Sequence, residues 1–205
     1  MDYWLAPEHP GPAAVEDAVG AFVWTCQHLQ DWGADPEAGV ALAGDSSGGA
    51  LAVPAAVRLQ ADGMIPPALP LAHPNADMTL RGDSVAQESH GWGLEADDLR
   101  WFVELWLPAP DGCADPQVSP ARADLTGLPP ALLATAEHDP LRDEGNALAQ
   151  QLRDVAVEVQ HVPHGGLVHG FLGLSHVSEA AAEAGRDLFD RFGDLLRNRA
   201  AVSSH

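Results

Sequence analysis

The chain contains no lysine, and its ten basic residues are all arginine, set against 30 aspartates and glutamates. The formal net charge is therefore −20 over 205 residues. A chain with so few cations has little with which to neutralise phosphate groups. This argues against nucleic acids and anionic membrane surfaces as partners, and it favours a small neutral ligand.

Cysteines and long apolar runs are also scarce. Only Cys26 and Cys113 are present, so no disulfide framework is expected, and Cys26 falls on the apolar face of a predicted helix, where we expect it to be buried. No run approaches about 18 consecutive apolar residues, and the first dozen residues lack the basic and apolar regions of a signal peptide. We expect a cytoplasmic protein. With 46% hydrophobic residues, the chain can build a sizeable core.

Apolar spacing predicts alternating helices and strands. A helix is indicated by Val15, Val19, Phe22, Cys26 and Leu29, and it ends before Gly33. The glycine-bounded apolar run at 39–43 predicts a strand buried on both faces. Further strands are predicted at 68–73, 131–136 and 155–162, and further helices at 48–59, 143–154 and the C-terminal end. The pattern indicates an α/β fold with a mostly parallel sheet covered by helices on both faces.

We expect one domain over residues 1–205, with residues 75–118 as an inserted cap or lid. This segment is rich in Gly, Asp and Trp and contains a predicted helix at 96–107. Trp92, Trp101 and Trp106 can line a ligand pocket or form the core of the cap, and the sequence leaves both readings open.

The pentapeptide Gly44-Asp45-Ser46-Ser47-Gly48 matches the pattern G-x-S-x-G between a predicted strand and a predicted helix, which is the context of a nucleophile elbow. A serine on such a sharp turn needs small neighbours, because side chains at the flanking positions would collide across the turn. The turn also places the Ser47 N–H at the start of a helix, where it can donate to an oxyanion. Ser46 is therefore the candidate nucleophile.

A serine nucleophile needs a base, and the base needs an orienting carboxylate. Asp139 follows the predicted strand at 131–136, and His169 follows the one at 155–162, so both are expected at the carboxyl edge of the sheet. Four other acidic residues compete for the role of the carboxylate: Asp45, Glu137, Asp143 and Glu144. Asp45 is too close to Ser46 to reach round the imidazole, and Asp143 and Glu144 are typical of a first helical turn.

His161 and His164 form an H-x-x-H pair, but no third ligand lies at a persuasive spacing. We therefore expect no metal site. We interpret His28, His73, His90 and His176 as ordinary polar residues.

Several blocks of the sequence together resemble the bacterial hormone-sensitive-lipase-like esterases, of the α/β-hydrolase fold. They are Tyr3-Trp4-Leu5-Ala6-Pro7-Glu8-His9-Pro10, Gly44-Asp45-Ser46-Ser47-Gly48-Gly49, Gly127-Leu128-Pro129-Pro130-Ala131, Asp139-Pro140-Leu141-Arg142-Asp143-Glu144-Gly145 and His169-Gly170-Phe171. The resemblance implies that Ser46 is the nucleophile, His169 the general acid and base, and Asp139 its orienter. It also implies hydrolysis of short to medium acyl esters through an acyl-enzyme, without a cofactor.

The same resemblance implies features that these 205 residues do not contain. They are the first strands of the sheet, half of the cap and a His-Gly-Gly-Gly loop that supplies most of the oxyanion hole. We expect impaired turnover from this chain, and an unpaired strand edge that favours a homo-oligomer. The alternative function is a non-catalytic ligand-binding protein, or an inactive fragment, on the same fold. Amidase or transacylase chemistry with the same three residues also stays open.

Overall fold

The computed structural model describes residues 1–107 and 109–203. Six helices and four strands are named here in chain order: α1 (Ala13–His28), β1 (Gly44–Asp45), α2 (Ser47–Ala61), β2 (Leu69–Ala72), α3 (Asp83–Gln87), α4 (Ala96–Trp106), β3 (Ala131–His138), α5 (Arg142–Asp154), β4 (Val159–Val168) and α6 (Glu179–Ser203). The strands form one parallel sheet in the order β1-β2-β3-β4. The α/β architecture expected from the sequence is confirmed.

The last strand lies further along the chain than predicted. β4 begins at Val159 rather than near 155, after Ala156 adopts a positive φ of 62°, and it continues to Val168. Pro163 lies inside this strand opposite Thr135. A proline is tolerated there because β4 is at the edge of the sheet, where the missing N–H costs no ladder bond on the open side.

The prediction of a strand buried on both faces at 39–43 is wrong. Only Gly44–Asp45 is a strand here, and the preceding residues are exposed or half-buried. Leu42 donates its N–H to the carbonyl of Ala68 at 3.3 Å. In a parallel ladder the N–H of residue 70 would next donate to the Leu42 carbonyl, but Pro70 has no N–H. The ladder is therefore interrupted at this point, and it resumes at Gly44, opposite Leu71.

Helices cover both faces of the sheet. α2 and α5 pack on one face through a cluster that includes Val53, Ala56, Leu71, Leu133, Leu148 and Leu152. α6 and Phe171 pack on the other face through a cluster that includes Leu132, Ala134, Leu167, Ala184 and Leu188. These two layers hold the carboxyl ends of the strands rigidly at one edge, where the candidate site lies.

α1 packs on α2 rather than on the sheet. Its buried residues are Ala14, Val15, Ala18 and Phe22, and the first three meet Leu51 and Ala55 of α2. The burial of Cys26 expected from the helical spacing is wrong, because this residue lies one turn beyond Phe22, where the described residues leave it exposed. Both cysteines are free thiols.

Residues 75–118 include α3 and α4 between β2 and β3. Val103 and Leu107 at the end of α4 pack on Ala50 of α2 and on Met78. The identification of this segment as a cap stays a prediction. Among the described residues, no helix combines the length and the apolar character that crossing a bilayer requires. The cytoplasmic location and the homo-oligomer likewise stay predictions.

Candidate active site

Ser46 occupies a strained turn between β1 and α2. Its φ of 53° and ψ of −116° lie outside the regions that non-glycine residues normally adopt. Four backbone hydrogen bonds hold it there: its N–H donates to the carbonyl of Ala72 at 2.9 Å, and its own carbonyl accepts from Gly49 at 2.9 Å, from Asn75 at 3.2 Å and from Ala50 at 3.4 Å. Because these hydrogen bonds fix the backbone, the Ser46 hydroxyl projects beyond the carboxyl end of β1.

The glycines of this turn differ in what they permit. A Cβ on Gly44 would overlap the carbonyl of Gly48, and a Cβ on Gly49 would lie 2.5 Å from the Cβ of Pro74. A Cβ on Gly48 would meet nothing within 4 Å. The expectation that a side chain at position 48 would collide across the turn is therefore wrong among the described residues. After Gly44, the second position where the turn requires glycine is Gly49.

The structure brings together the three residues singled out from the sequence. Nε2 of His169 lies 2.8 Å from Oγ of Ser46, and Nδ1 of His169 lies 2.9 Å from Oδ2 of Asp139. Asp139 directly follows β3 and His169 directly follows β4, so parallel strands deliver both side chains to the same edge. The second oxygen of Asp139 accepts the N–H of Leu141 at 2.8 Å, and the carboxylate is fully buried. Its orientation is thereby fixed.

None of the competing carboxylates has a hydrogen bond to His169. Glu137 accepts the N–H of Gly166 at 2.7 Å, and Asp143 accepts the N–H of Ser84 at 2.8 Å. Asp45 points toward His73 rather than His169, with its Oδ2 3.8 Å from Nε2 of His73.

Glu144 is buried behind the site. Its Oε1 accepts the N–H groups of Ala76 at 2.6 Å and Asp77 at 3.3 Å, while Oε2 has no hydrogen-bond partner among the described residues. Burial raises the pKa of this carboxyl to about 8, because the ionised form loses its hydration. Glu144 therefore ties the loop after β2 to the start of α5 in a largely protonated form at neutral pH.

An apolar cavity of about 380 Å³ opens beside Ser46. Its walls come from the N-terminal segment, the loop after β2 and α4, and include Leu5, Met78, Leu99, Phe102, Val103 and Trp106. Of the tryptophans left open by the sequence, Trp106 lines this cavity. Trp101 is exposed to solvent, and Trp92 stacks on His138 with ring centroids 4.0 Å apart. A cavity of this size and character suits a small apolar group.

Ser47 lies at the first position of α2 and also lines the cavity. N–H groups in the first turn of a helix have no acceptor within the helix, and the helix dipole adds a partial positive charge there. The backbone of Ser47 is therefore available to an oxyanion formed next to Ser46.

Sequence reasoning missed His73, which follows β2. It is 1% exposed, its ring centroid lies 4.5 Å from that of His169, and neither ring nitrogen has a hydrogen-bond partner among the described residues. Burial lowers the pKa of His73, and the nearby His169 acts in the same direction. A lone histidine before a proline carries no sequence signal of such a location.

His161 and His164 face opposite sides of β4. His161 lies 3.1 Å from the hydroxyl of Thr135, whereas the ring of His164 packs against Phe171. Two strand residues three positions apart point to opposite faces, so this pair cannot share one metal ion.

A parallel sheet covered by helices on both faces, with a strained serine turn at its carboxyl edge, defines the α/β-hydrolase class. The chain belongs to the alpha/beta hydrolase fold family, whose model matches residues 1–173.

Relatives of the chain are carboxylic ester hydrolases. Carboxylic ester hydrolase LipN of Mycobacterium tuberculosis is 42% identical over 196 residues, and the match covers 92% of this chain and 52% of that protein. Carboxylesterase NlhH of the same species is 37% identical over 195 residues, covering 92% and 60%. The chain thus spans little more than half the length of these relatives.

Solved esterase structures superpose on nearly the whole chain. The thermostable carboxylesterase EstE1, cloned from a metagenomic library, matches with a TM-score of 0.85 at 35% identity, over 98% of this chain and 66% of that one. The esterase of the archaeon Pyrobaculum calidifontis matches with a TM-score of 0.87 at 35% identity, over 98% and 65%.

Proposed function

We propose that these 205 residues carry the catalytic centre of a carboxylic ester hydrolase, with Ser46 as nucleophile, His169 as general base and acid, and Asp139 as the residue that orients His169. The observation that carries the proposal is the unbroken hydrogen-bond chain from Ser46 through His169 to the buried Asp139, with separations of 2.8 and 2.9 Å. The esterase relatives support the same reaction class.

In the acylation step, Nε2 of His169 takes the proton of the Ser46 hydroxyl while Oγ attacks the ester carbonyl carbon. Asp139 accepts a hydrogen bond from Nδ1–H and stabilises the imidazolium that forms. The tetrahedral intermediate then collapses, and His169 passes its proton to the departing alkoxide, which leaves as an alcohol. Water, deprotonated in turn by His169, attacks the acyl-enzyme, and the products are the carboxylic acid and free Ser46.

The negative oxygen of the tetrahedral intermediate needs donors. The N–H of Ser47 serves as one of them, since it lies at the start of α2 beside the nucleophile. Loss of a single oxyanion donor typically lowers turnover by about 10²–10³. With Ser47 as the backbone donor that the described residues place here, we infer slow turnover by these 205 residues on their own.

The acyl group of the substrate fits the apolar cavity beside Ser46. Its volume of about 380 Å³ and its Leu, Met, Val and aromatic walls suit a short to medium acyl chain. The net charge of −20 disfavours anionic substrates. The proposed reaction uses no metal or organic cofactor, because the side chains of Ser46, His169 and Asp139 supply the nucleophile and all proton transfers.

A non-catalytic binding protein is the weaker alternative, because a ligand site does not need a serine hydrogen-bonded to a histidine and a buried carboxylate. Amidase or transacylase chemistry would use the same residues. Comparison of ester, anilide and alcohol-acceptor substrates distinguishes these reactions.

The proposal is tested by hydrolysis of p-nitrophenyl butyrate by the 205-residue chain, with Ser46→Ala as control. We expect slow turnover that Ser46→Ala abolishes. Hydrolysis that Ser46→Ala leaves intact contradicts the role of Ser46, and rates typical of a complete esterase contradict the inference of slow turnover.

A further inference from the structure

His73 is a buried imidazole directly beside the candidate triad, and neither of its ring nitrogens has a hydrogen-bond partner in the part of the chain that the structure describes. Its backbone N–H donates to the carbonyl of Ala134 at 2.8 Å, which anchors the loop after β2 to β3. Its φ of 33° is unusual for a non-glycine residue. Leaving buried ring nitrogens without partners costs free energy. The proposed chemistry of Ser46, His169 and Asp139 does not use the His73 side chain. A different role must therefore explain why an imidazole is buried at this position.

Three metal-ligating side chains converge at this point. One ligand atom each from His73, Asp139 and His169 lie within 4.8 Å of one another. The three residues follow β2, β3 and β4, so the parallel sheet itself delivers them to one edge. Two imidazoles and one carboxylate are a donor set that zinc takes in three-ligand sites, which keep a fourth position open.

The three ligand atoms lie within 4.8 Å of one another and must come closer together to hold such an ion. Nitrogen and oxygen ligands at the usual zinc distances are about 3.3 Å apart in a tetrahedral site. The rings of His73 and His169 are 4.5 Å apart at their centroids and tilted by 57°. Because neither ring nitrogen of His73 has a hydrogen-bond partner among the described residues, moving this ring toward an ion breaks no hydrogen bond of its own.

Charge around the cluster also favours a cation. The carboxylate of Asp139 is fully buried, and Oδ2 of Asp45 lies 3.8 Å from Nε2 of His73. A histidine ligand commonly donates its second N–H to a carboxylate, which fixes the ring and strengthens the metal bond. Asp45 is positioned to accept this second N–H from His73. The net charge of −20 raises the local concentration of cations further.

We propose that His73, Asp139 and His169 form a binding site for a divalent cation of the zinc type, and that occupation of this site inhibits the active centre. A neutral imidazole has one nitrogen with a free lone pair. If Nε2 of His169 binds the ion, that nitrogen cannot accept the Ser46 proton. If Nδ1 binds it, Nε2 carries the proton and again cannot accept one. Inhibition therefore follows for either nitrogen. The inhibition part of this proposal rests on the proposed function, whereas the binding part does not.

Binding is measured by equilibrium dialysis of the full chain with Zn²⁺, using wild type, His73→Asn and the matched surface control His176→Asn. Asparagine tolerates positive φ, and His176 is exposed. We expect one tight equivalent in wild type and in His176→Asn. In His73→Asn the affinity of that equivalent should fall by about 100-fold or more, since even outer-shell partners of a metal are worth 10–100-fold. Equal binding by all three chains, which indicates surface carboxylates and histidines only, overturns the site.

A spectroscopic measurement does not depend on the folding of any variant. Wild type titrated with Co²⁺ should develop the intense visible absorption of a four-coordinate ion, complete at one equivalent. Weak absorption typical of octahedral Co²⁺ throughout the titration contradicts the proposal.

The inhibitory half is tested by labelling Ser46 with a fluorophosphonate, with and without stoichiometric Zn²⁺. Labelling of wild type should slow at least tenfold with Zn²⁺ and recover with a chelator, whereas labelling of His73→Asn should not respond. Unchanged labelling of zinc-loaded wild type overturns the inhibition. Absence of labelling even without metal contradicts the proposed function instead, and the dialysis result still decides whether the site exists.

Discussion

The carboxyl of Glu144 accepts a hydrogen bond from the backbone N–H of Ala76 at 2.6 Å, which joins the start of α5 to the loop after β2 across 68 positions of sequence. This loop also carries His73 and Asn75, whose backbone groups bond to Ala134 and Ser46. A single buried carboxyl therefore braces the segment that holds the backbone turn at Ser46 in place.

Glu144 should make stability depend on pH. Its pKa in the folded state is raised to about 8, against an ordinary value of 4.5. Its contribution is fully present below about pH 4.5, declines as the unfolded chain ionises first, and is lost as the pH rises through 8. In wild type the free energy of unfolding should therefore fall by an amount on the order of a few kcal/mol over this range.

Glu144→Gln should remove that part of the pH dependence, because the amide keeps a neutral acceptor for Ala76. Urea unfolding at pH 5 and pH 9 measures the difference, with Glu183→Gln, an exposed position, as control. Parallel pH profiles for wild type and Glu144→Gln would contradict a raised pKa.

Gly48 and Gly49 should respond differently to alanine. The Cβ of Gly49→Ala meets Pro74 at 2.5 Å, so we expect a loss of about 1–3 kcal/mol through overpacking. Gly48→Ala meets nothing within 4 Å, and we expect no loss, or a gain of up to about 1 kcal/mol from the higher helix propensity of alanine. Thermal unfolding compares the two, and a larger loss for Gly48→Ala is the contrary outcome.

Phe102 and Trp101 are neighbours on α4 and are both largely exposed, but only Phe102 lines the cavity beside Ser46. Phe102→Ala should lower kcat/KM for hexanoyl esters more than for acetyl esters, by roughly tenfold, because each buried methylene is worth about 0.8 kcal/mol. Trp101→Ala should leave the ratio unchanged. Equal ratios for the two variants would place the acyl chain elsewhere.

The proposal that Asp139 orients His169 predicts a large difference between two acidic positions that lie two residues apart. Asp139→Asn should lower turnover by about 10³–10⁴, because the amide donates to Nδ1 and favours the wrong tautomer of His169. Glu137→Gln should change turnover by less than about tenfold, since Glu137 accepts the N–H of Gly166 and does not bond to His169. Steady-state hydrolysis of p-nitrophenyl butyrate measures both, and the reverse order would transfer the role to Glu137.

The segment from β3 into α5 was predictable because its signals are local. A continuous apolar run indicates a buried strand, and the Asp-Pro step with acidic residues after it indicates a turn and a first helical turn. The placement of Asp139 and His169 at one edge of the sheet was predictable for a similar reason, since each follows a recognisable strand, whereas Ser46 was singled out by the G-x-S-x-G pattern.

The errors arose where structure depends on a distant partner. The run at 39–43 has the composition of a buried strand, but Pro70, some 30 residues away, removes the N–H that its ladder requires. Likewise, nothing around His73 in the sequence indicates that its ring lies 4.5 Å from His169. Contacts between loops that follow different strands are set by the fold as a whole.

Activation of Ser46 by His169 is measured by the rate of fluorophosphonate labelling, followed by intact mass spectrometry. The 2.8 Å contact between Nε2 and Oγ predicts a single adduct on Ser46 in wild type, formed at least about 10³ times faster than in His169→Ala. Equal rates in the two chains, or an adduct that persists in Ser46→Ala, would contradict activation of Ser46 by His169.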